Sequence, residues 1–302
     1  MPELPDVELY LSSLGERIAG HTLERVRLAT PFLLRSVEPA LSEVEGLTVT
    51  GFRRIGKRIV WEFEGNLFLV FHLMIAGRFK WRDAGSLVPR KTGLAAFDFA
   101  AGTLLLTEAA TRKRASLHVV RGEDALASFD PGGIDVMTSD ASAFAAALQK
   151  ESHTLKRALT DPHLFSGIGN AYSDEILHRA RLSPFKLTRH MSAEELFALR
   201  EAAIATLTEW TNRLKHETKD RFPEKVTAFR EGMAVHGRFG KPCPRRGTQV
   251  QRIVHGEHQV NYCPTCQTEG RLLADRALSK LLKDDWPKTL DALEQRRKEQ
   301  AG

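Results

Sequence analysis

The chain has 302 residues, 42% of them apolar and 27% charged, with 22 Gly and 13 Pro. This is a globular composition, long enough for two domains, and it excludes collagen, coiled coil and intrinsic disorder. The balance of 44 basic against 38 acidic residues, +6 overall, leans toward polyanionic partners. Three cysteines are too few for a disulfide framework and suit a reducing compartment. The longest apolar run, residues 67–76, contains His72 and is far short of a membrane span, so it reads as a buried strand. The opening MPELPDVE carries acids where a signal peptide needs bases, so the expected location is cytoplasmic.

In chain order, residues 8–18 have helical spacing of Leu9, Leu11, Leu14 and Ile18 after two prolines. Short apolar runs then predict strands over 48–53, 58–63, 67–73, 94–99, 103–107 and 116–120, as in an antiparallel sandwich or barrel. Asp130-Pro131-Gly132-Gly133 is a breaker that sets the expected domain boundary. Beyond it the pattern is helical, at 141–150, 155–160, 171–180 and, most strongly, 193–215, with Ser192 as N-cap. Residues 219–231 read as a mobile loop and 236–267 as a small ribbon with paired Cys. Residues 271–300 read as a charged helix broken at Pro287. Basic clusters recur at Arg53, Arg54, Lys57 and Arg58, at Arg112, Lys113 and Arg114, and at Arg238, Lys241, Arg245 and Arg246. They are read either as one groove or as solvated loops.

The first residues carry the sharpest chemistry. Pro2 after the initiator Met would expose a secondary amine once Met1 is removed. An α-amine has a pKa near 8, so a useful fraction is neutral and nucleophilic at pH 7. Attack on an aldehyde-like carbon gives an iminium, an electron sink, and Glu3 is the adjacent carboxylate that can move protons.

The string PELPDVE is more specific than its first two residues, and with it the chain resembles the formamidopyrimidine-DNA glycosylase / endonuclease VIII family of bifunctional DNA glycosylases. The likeness continues in GKRIVWEF, FHLMIAGRF, LKRALTDPHLFSGIGNAYSDEILHRARLSP and HGRFGKPCPRRG…NYCPTCQ, in family order, across nearly nine tenths of the chain. It implies an α+β multidomain fold. Residues 2–130 form an N-terminal antiparallel β-sandwich with a flanking helix, and 140–234 a helix–two-turn–helix domain. Residues 235–268 form a zinc-ribbon-like β-hairpin finger and 269–302 a helical extension.

The resemblance also implies function: base-excision repair by a monomer that takes damaged DNA as partner, with no membrane role. Pro2 attacks the sugar C1′, Glu3 manages protons, and β- then δ-elimination nicks the strand on both sides, with Lys57 gripping phosphate and assisting elimination. His72, Lys113, Arg114, Lys156, Asn170 and His258 are the implied DNA contacts. Physically, Ser166-Gly167-Ile168-Gly169-Asn170 is a tight turn into a helix N-terminus, which suits a phosphate. Tyr172 and Asp174 read as packing and capping residues.

The chain also departs from the family pattern. The wedge Met position falls on Ile75, with Met74 before it, and Ala115 stands where a Phe wedge is expected. In the ribbon, Cys243, Cys263 and Cys266 are candidate ligands of one structural Zn²⁺, but Arg246 replaces the fourth Cys. Two alternatives follow: His255 or His258 supplies the fourth ligand, or the ribbon holds without metal. A competing reading keeps the scaffold as a non-catalytic damaged-DNA-binding protein. A third, an RNA-binding helix–two-turn–helix protein, leaves Pro2 and Glu3 unexplained.

Overall fold

The computed structural model describes residues 1–219, 221–224, 226–227, 229–255, 258–274, 287–293 and 295, and the side chains of His255 and His258 lie outside that description. The chain divides into two compact units. One comprises residues 1–133 with 208–228, the other residues 134–207 with 229–302. No helix among the described residues is long and apolar enough to cross a membrane.

The first unit opens with α1 (Leu4–Ile18), four residues earlier than its spacing predicts. Pro5 lies in the first turn, where a missing N–H costs nothing, and the Glu3 N–H donates to Asp6 Oδ2 at 2.9 Å, closing the helix start. Val7, Tyr10, Leu14 and Ile18 of its buried face enter the core.

Eight strands follow: β1 (Arg25–Leu28), β2 (Val49–Ile55), β3 (Arg58–Phe63), β4 (Leu67–His72), β5 (Gly77–Arg82), β6 (Gly93–Phe99), β7 (Gly102–Glu108) and β8 (Ser116–Arg121). They form two antiparallel four-stranded sheets, ordered β1-β6-β7-β5 and β2-β3-β4-β8. The core is aromatic. Trp61 is fully buried, with ring centroids of Phe71 at 4.9 Å and Phe97 at 5.2 Å. Each such side chain contributes about 1.5–3 kcal/mol by burial. On the other face of β3 and β4, Val60, Phe68 and Val70 form a smaller cluster with Leu126 of α2 (Glu123–Ala127).

The sequence pattern misses β1 and β5, and both are edge strands. Edges tolerate charge, and β5 alternates Arg78, Lys80 and Arg82 with Phe79 and Trp81, which hides it from a search for apolar runs.

The reading of 219–231 as a mobile loop is corrected for its described residues. Val226 is buried in the core, Phe222 packs on it and against Tyr10 at 6.1 Å, and Glu224 pairs with Arg82. Apolar anchors spaced four apart and one ion pair hold this irregular segment down.

The second unit contains α3 (Ala141–Gln149), α4 (Leu155–Thr160) and α5 (Asn170–Ala180). It also holds the first part of α6 (Ala193–Thr218), then the hairpin β9 (Gln251–His255) and β10 (His258–Tyr262) and the short α7 (Pro264–Gln267). Ser192 caps α6 reciprocally: the Glu195 N–H donates to Ser192 Oγ at 3.3 Å and the Ser192 N–H to Glu195 Oε2 at 2.9 Å. Much of the expected C-terminal helix, including 275–286 and 296–302, lies outside the described residues.

Candidate active site

Strand register assembles the site in the first unit. At one end of the sheet β2-β3-β4-β8, Ile55 pairs with Arg58 around a turn of Gly56 and Lys57. Beside it β4 ends at His72, which pairs with Ser116 at the start of β8. On the other sheet, Gly77 opens β5 opposite Glu108, the last residue of β7. The turn 73–76 and the loop 109–115 therefore leave the sandwich side by side, next to Lys57 and His72.

Electrostatics places the amino terminus at this same end. Burial is the largest influence on the amine of Met1 and holds its pKa below the ordinary 8.0; Glu3 opposes this, Arg78 and Lys57 add to it, and Asp6 opposes it. Pro2 and Glu3 are buried, Glu3 at 3% exposure. His72 is pushed down to about 4, first by burial and then by Arg58, Lys57, His118 and the terminal amine. It is thus a neutral imidazole at pH 7, a hydrogen-bonding group rather than a cation. Pro2, Glu3, Lys57 and His72 come together. His118 joins them unforeseen, since a histidine on an apolar strand carries no distinguishing signal.

The first basic cluster is mostly committed to structure. Arg53 pairs with Glu62 at 2.5 Å and Glu123 at 2.7 Å, and Arg58 donates to the Phe129 carbonyl at 3.0 Å. Arg54 donates to Glu8 and to the Gly56 carbonyl. Opposite charges planted on α1, α2 and β3 absorb these arginines, which a linear reading of charge runs does not reveal.

The buried Glu108 carboxylate shapes the loop 109–115. It accepts from the Arg114 N–H at 2.9 Å and the Ala115 N–H at 3.1 Å, while Lys113 Nζ donates to the Glu108 carbonyl. Ala115 is buried at 4% exposure, so this position faces inward and offers no wedge. Ile75, by contrast, is 56% exposed at the tip of the turn 73–76. Met74 before it takes φ +53°, a left-handed conformation that favours glycine. The turn closes at Gly77, whose N–H donates to the Leu73 carbonyl at 2.9 Å; a Cβ there would meet that oxygen at 2.3 Å.

In the second unit, Asn170 opens α5 after Gly167 at φ +80°. Lys156 is buried, its Nζ donating to the Asn170 carbonyl at 2.7 Å and to Asp174 Oδ1 at 2.5 Å. These bonds hold the turn that presents Asn170. Asp174 Oδ2 also accepts from the Asn261 amide group at 2.9 Å and bonds His236 Nδ1 at 2.8 Å. The adjacent Glu175 accepts from the N–H groups of Ala234, Val235 and His236 at 2.7–2.9 Å. An acidic pair on one helix thus grips the ribbon from within.

Cys243, Cys263 and Cys266 converge. Cys243 Sγ lies 3.8 Å from Cys266 Sγ, and Cys263 interacts with both. His178 of α5 joins them, its Nε2 3.2 Å from Cys243 Sγ, and the donor atoms of His178, Cys243 and Cys266 all lie within 4.8 Å of one another. Burial and Arg245 hold His178 down to about 4, so it is neutral, as a metal ligand must be. The side chains of His255 and His258, the expected completing residues, lie outside the described residues, and His178 is a neighbour that the sequence reading does not name. His178 is distant in sequence, and its location on the DEILHRA helix marks it only as a helical residue. The side chain of His258, expected on phosphate, lies outside the described residues.

Comparison with known proteins agrees with this architecture. Residues 1–117 match the model of the formamidopyrimidine-DNA glycosylase N-terminal domain, and residues 133–221 that of the formamidopyrimidine-DNA glycosylase H2TH domain. A formamidopyrimidine-DNA glycosylase of Thermus thermophilus is 33% identical over 282 residues, covering 89% of this chain and 100% of its own. An uncharacterized formamidopyrimidine-DNA glycosylase-like protein of Mycobacterium tuberculosis is 39% identical over 153 residues, covering 51% of this chain and 93% of its own. In fold, the chain is similar to the LlFpg protein in a complex with a THF-DNA and an inhibitor, with TM-score 0.78 and 25% identity over 88% of this chain and 100% of that one. It is also similar to a Lactococcus lactis Fpg bound to DNA containing an abasic site, with TM-score 0.77 and 24% identity over 88% and 99%.

Proposed function

We propose, for a chain that belongs to the formamidopyrimidine-DNA glycosylase family, that it excises damaged bases from DNA and nicks the resulting abasic site through its own amino-terminal proline. The observation that carries this reading is the convergence of the amino terminus, Glu3, Lys57 and His72 at one end of the sandwich.

After Met1 is removed, the neutral Pro2 nitrogen attacks C1′ of an extruded deoxyribose as the base departs with the bond electrons. Glu3 takes the proton released from the amine and passes it to the ring oxygen O4′ as the C1′–O4′ bond breaks, which opens the sugar and leaves the iminium. The iminium then acidifies C2′. Loss of that proton expels the 3′ phosphate, and a second elimination expels the 5′ phosphate. Lys57 acts as a point charge on a flanking phosphate, positioning the strand without reading sequence. Neutral His72 donates one hydrogen bond to the same backbone.

Asn170 at the start of α5 and the loop bearing Lys113 and Arg114 supply further backbone contacts. The donor set of the ribbon fits a structural zinc: three thiols gathered at one place, Cys243 and Cys263 buried and Cys266 half-buried, with backbone N–H groups of Arg245 and Arg246 donating to Cys243 Sγ. Cys243, Cys263 and Cys266 would hold it, and the ion would cross-link the ribbon with no part in the reaction.

Single-turnover assays on duplexes carrying oxidised purines, oxidised pyrimidines or an abasic site test this reading. The expected products are strands ending in phosphate on both sides of a one-nucleotide gap, with nicking lost in Lys57→Ala. Retained DNA binding without base release or nicking would leave only the binding scaffold.

A further inference from the structure

We infer that His178 is the fourth ligand of the ribbon metal, so that a Cys₃His zinc site bolts the helix α5 to the finger. This rests on the reading of the ribbon as zinc-bearing and goes beyond it, because His178 is outside the ribbon and replaces the thiol missing at Arg246.

Four observations carry the inference. First, the donors are complementary and close: His178 Nε2 is 3.2 Å from Cys243 Sγ, and its donor atom and those of Cys243 and Cys266 fit within 4.8 Å, a cluster one tetrahedral ion can collect. Second, the site is enclosed. His178 is 4% exposed, Cys243 2% and Cys263 fully buried, with Val235 and Val250 around them. Third, the ribbon keeps the backbone of a metal knuckle despite losing a thiol: the N–H groups of Arg245 and Arg246 donate to Cys243, and that of Cys266 donates to Cys263. Such amides stabilise thiolate charge. Fourth, α5 is already aimed at the finger. Asp174 is one helical turn before His178 on the same face, and it and Glu175 both bind ribbon backbone or side chains.

A consequence follows for the phosphate turn. Asn170 opens α5 two turns before His178, and Lys156 ties its carbonyl to Asp174. Where all four ligands come from a ribbon, the metal folds only the ribbon. Here it also fixes the helix that presents Asn170.

The test uses the full chain and three variants: His178→Ala, His178→Cys and His178→Ala combined with Arg246→Cys. Zinc content is measured after dialysis against a mild chelator, with absorption of the cobalt-substituted protein as a second readout. We expect about one zinc per wild-type chain and less than about 0.2 in His178→Ala, since one lost ligand weakens a structural site strongly. His178→Cys should keep its metal and raise thiolate-to-cobalt absorption by about a third, from three sulfurs to four. Arg246→Cys should restore zinc in the His178→Ala background. Hydrogen exchange in 166–172 should quicken on metal removal in wild type.

Zinc retained unchanged in His178→Ala, or cobalt absorption unchanged in a folded His178→Cys, would overturn the assignment while leaving the zinc ribbon intact. No metal in the wild type would overturn both.

Discussion

Arg54 joins two parts of the candidate site through one guanidinium: Nε donates to Glu8 Oε1 at 2.9 Å and Nη1 to the Gly56 carbonyl at 3.2 Å. Glu8 is on α1, one turn beyond the residues that anchor the amino terminus, and Gly56 precedes Lys57. The pair thus sets the spacing between the start of α1 and Lys57. Arg54→Met keeps the buried stem but removes both bonds. Misplacement of about 1 Å costs about 10- to 100-fold in rate, and we expect the single-turnover nicking rate to fall by that factor with DNA affinity nearly unchanged. Equal losses in rate and affinity would assign Arg54 to binding instead.

The terminal amine gives a pH prediction. The neutral form attacks, so its rate rises with pH and levels off above the amine pKa. Pro2 is buried, and burial disfavours the charged form of an amine. Covalent capture on abasic DNA should therefore level off below the range of a free α-amine, about pH 8. A break at or above that value would mean that the amine is not buried in this way.

His72 gives a stability prediction of defined sign. Its pKa falls from 6.5 unfolded to about 4 folded, so the unfolded chain binds more protons between those values. The stabilising contribution is full above pH 6.5 and is lost as pH falls through 4. In urea titrations at pH 7.5 and 4.5, wild type should lose more stability than His72→Gln. Equal losses would place the imidazole in water.

The turn 73–76 separates duplex from single-strand recognition. Ile75→Ala removes the exposed apolar tip and should weaken binding to lesion duplex by about 10-fold, about 1.4 kcal/mol, with little effect on single-stranded abasic DNA. Met74→Gly relieves a left-handed residue and should stabilise the fold by up to about 1 kcal/mol, read by thermal denaturation. Equal effects of Ile75→Ala on both substrates would remove its role as a wedge.

Much of this was legible in the residues because the relevant signals are local. The strands β3, β4, β6 and β7 are rich in apolar residues, and α6 repeats apolar positions from Leu196 to Leu214, about five turns. PELPDVE carries the family resemblance within seven consecutive residues. What was not legible depends on pairings distant in sequence. Arg53 and Arg54 look like a phosphate patch until Glu8, Glu62 and Glu123 are folded against them. Lys156 looks like a surface contact until Asp174 buries it. His178 is 65 residues from Cys243, and no ligand spacing motif spans that gap. The irregular segment after α6 gave only polarity, while Phe222 and Val226, its two anchors, are too sparse to form a pattern.

The central claim is that the chain's own proline forms the covalent bond. Borohydride reduction of the full-length protein on abasic-site DNA, followed by peptide mass spectrometry, tests it most directly. The expected result is an adduct on the Pro2 nitrogen of a chain lacking Met1, abolished when an extra residue precedes Pro2. An adduct on Lys57 or another lysine, or no adduct on a chain that still binds the DNA, would contradict it.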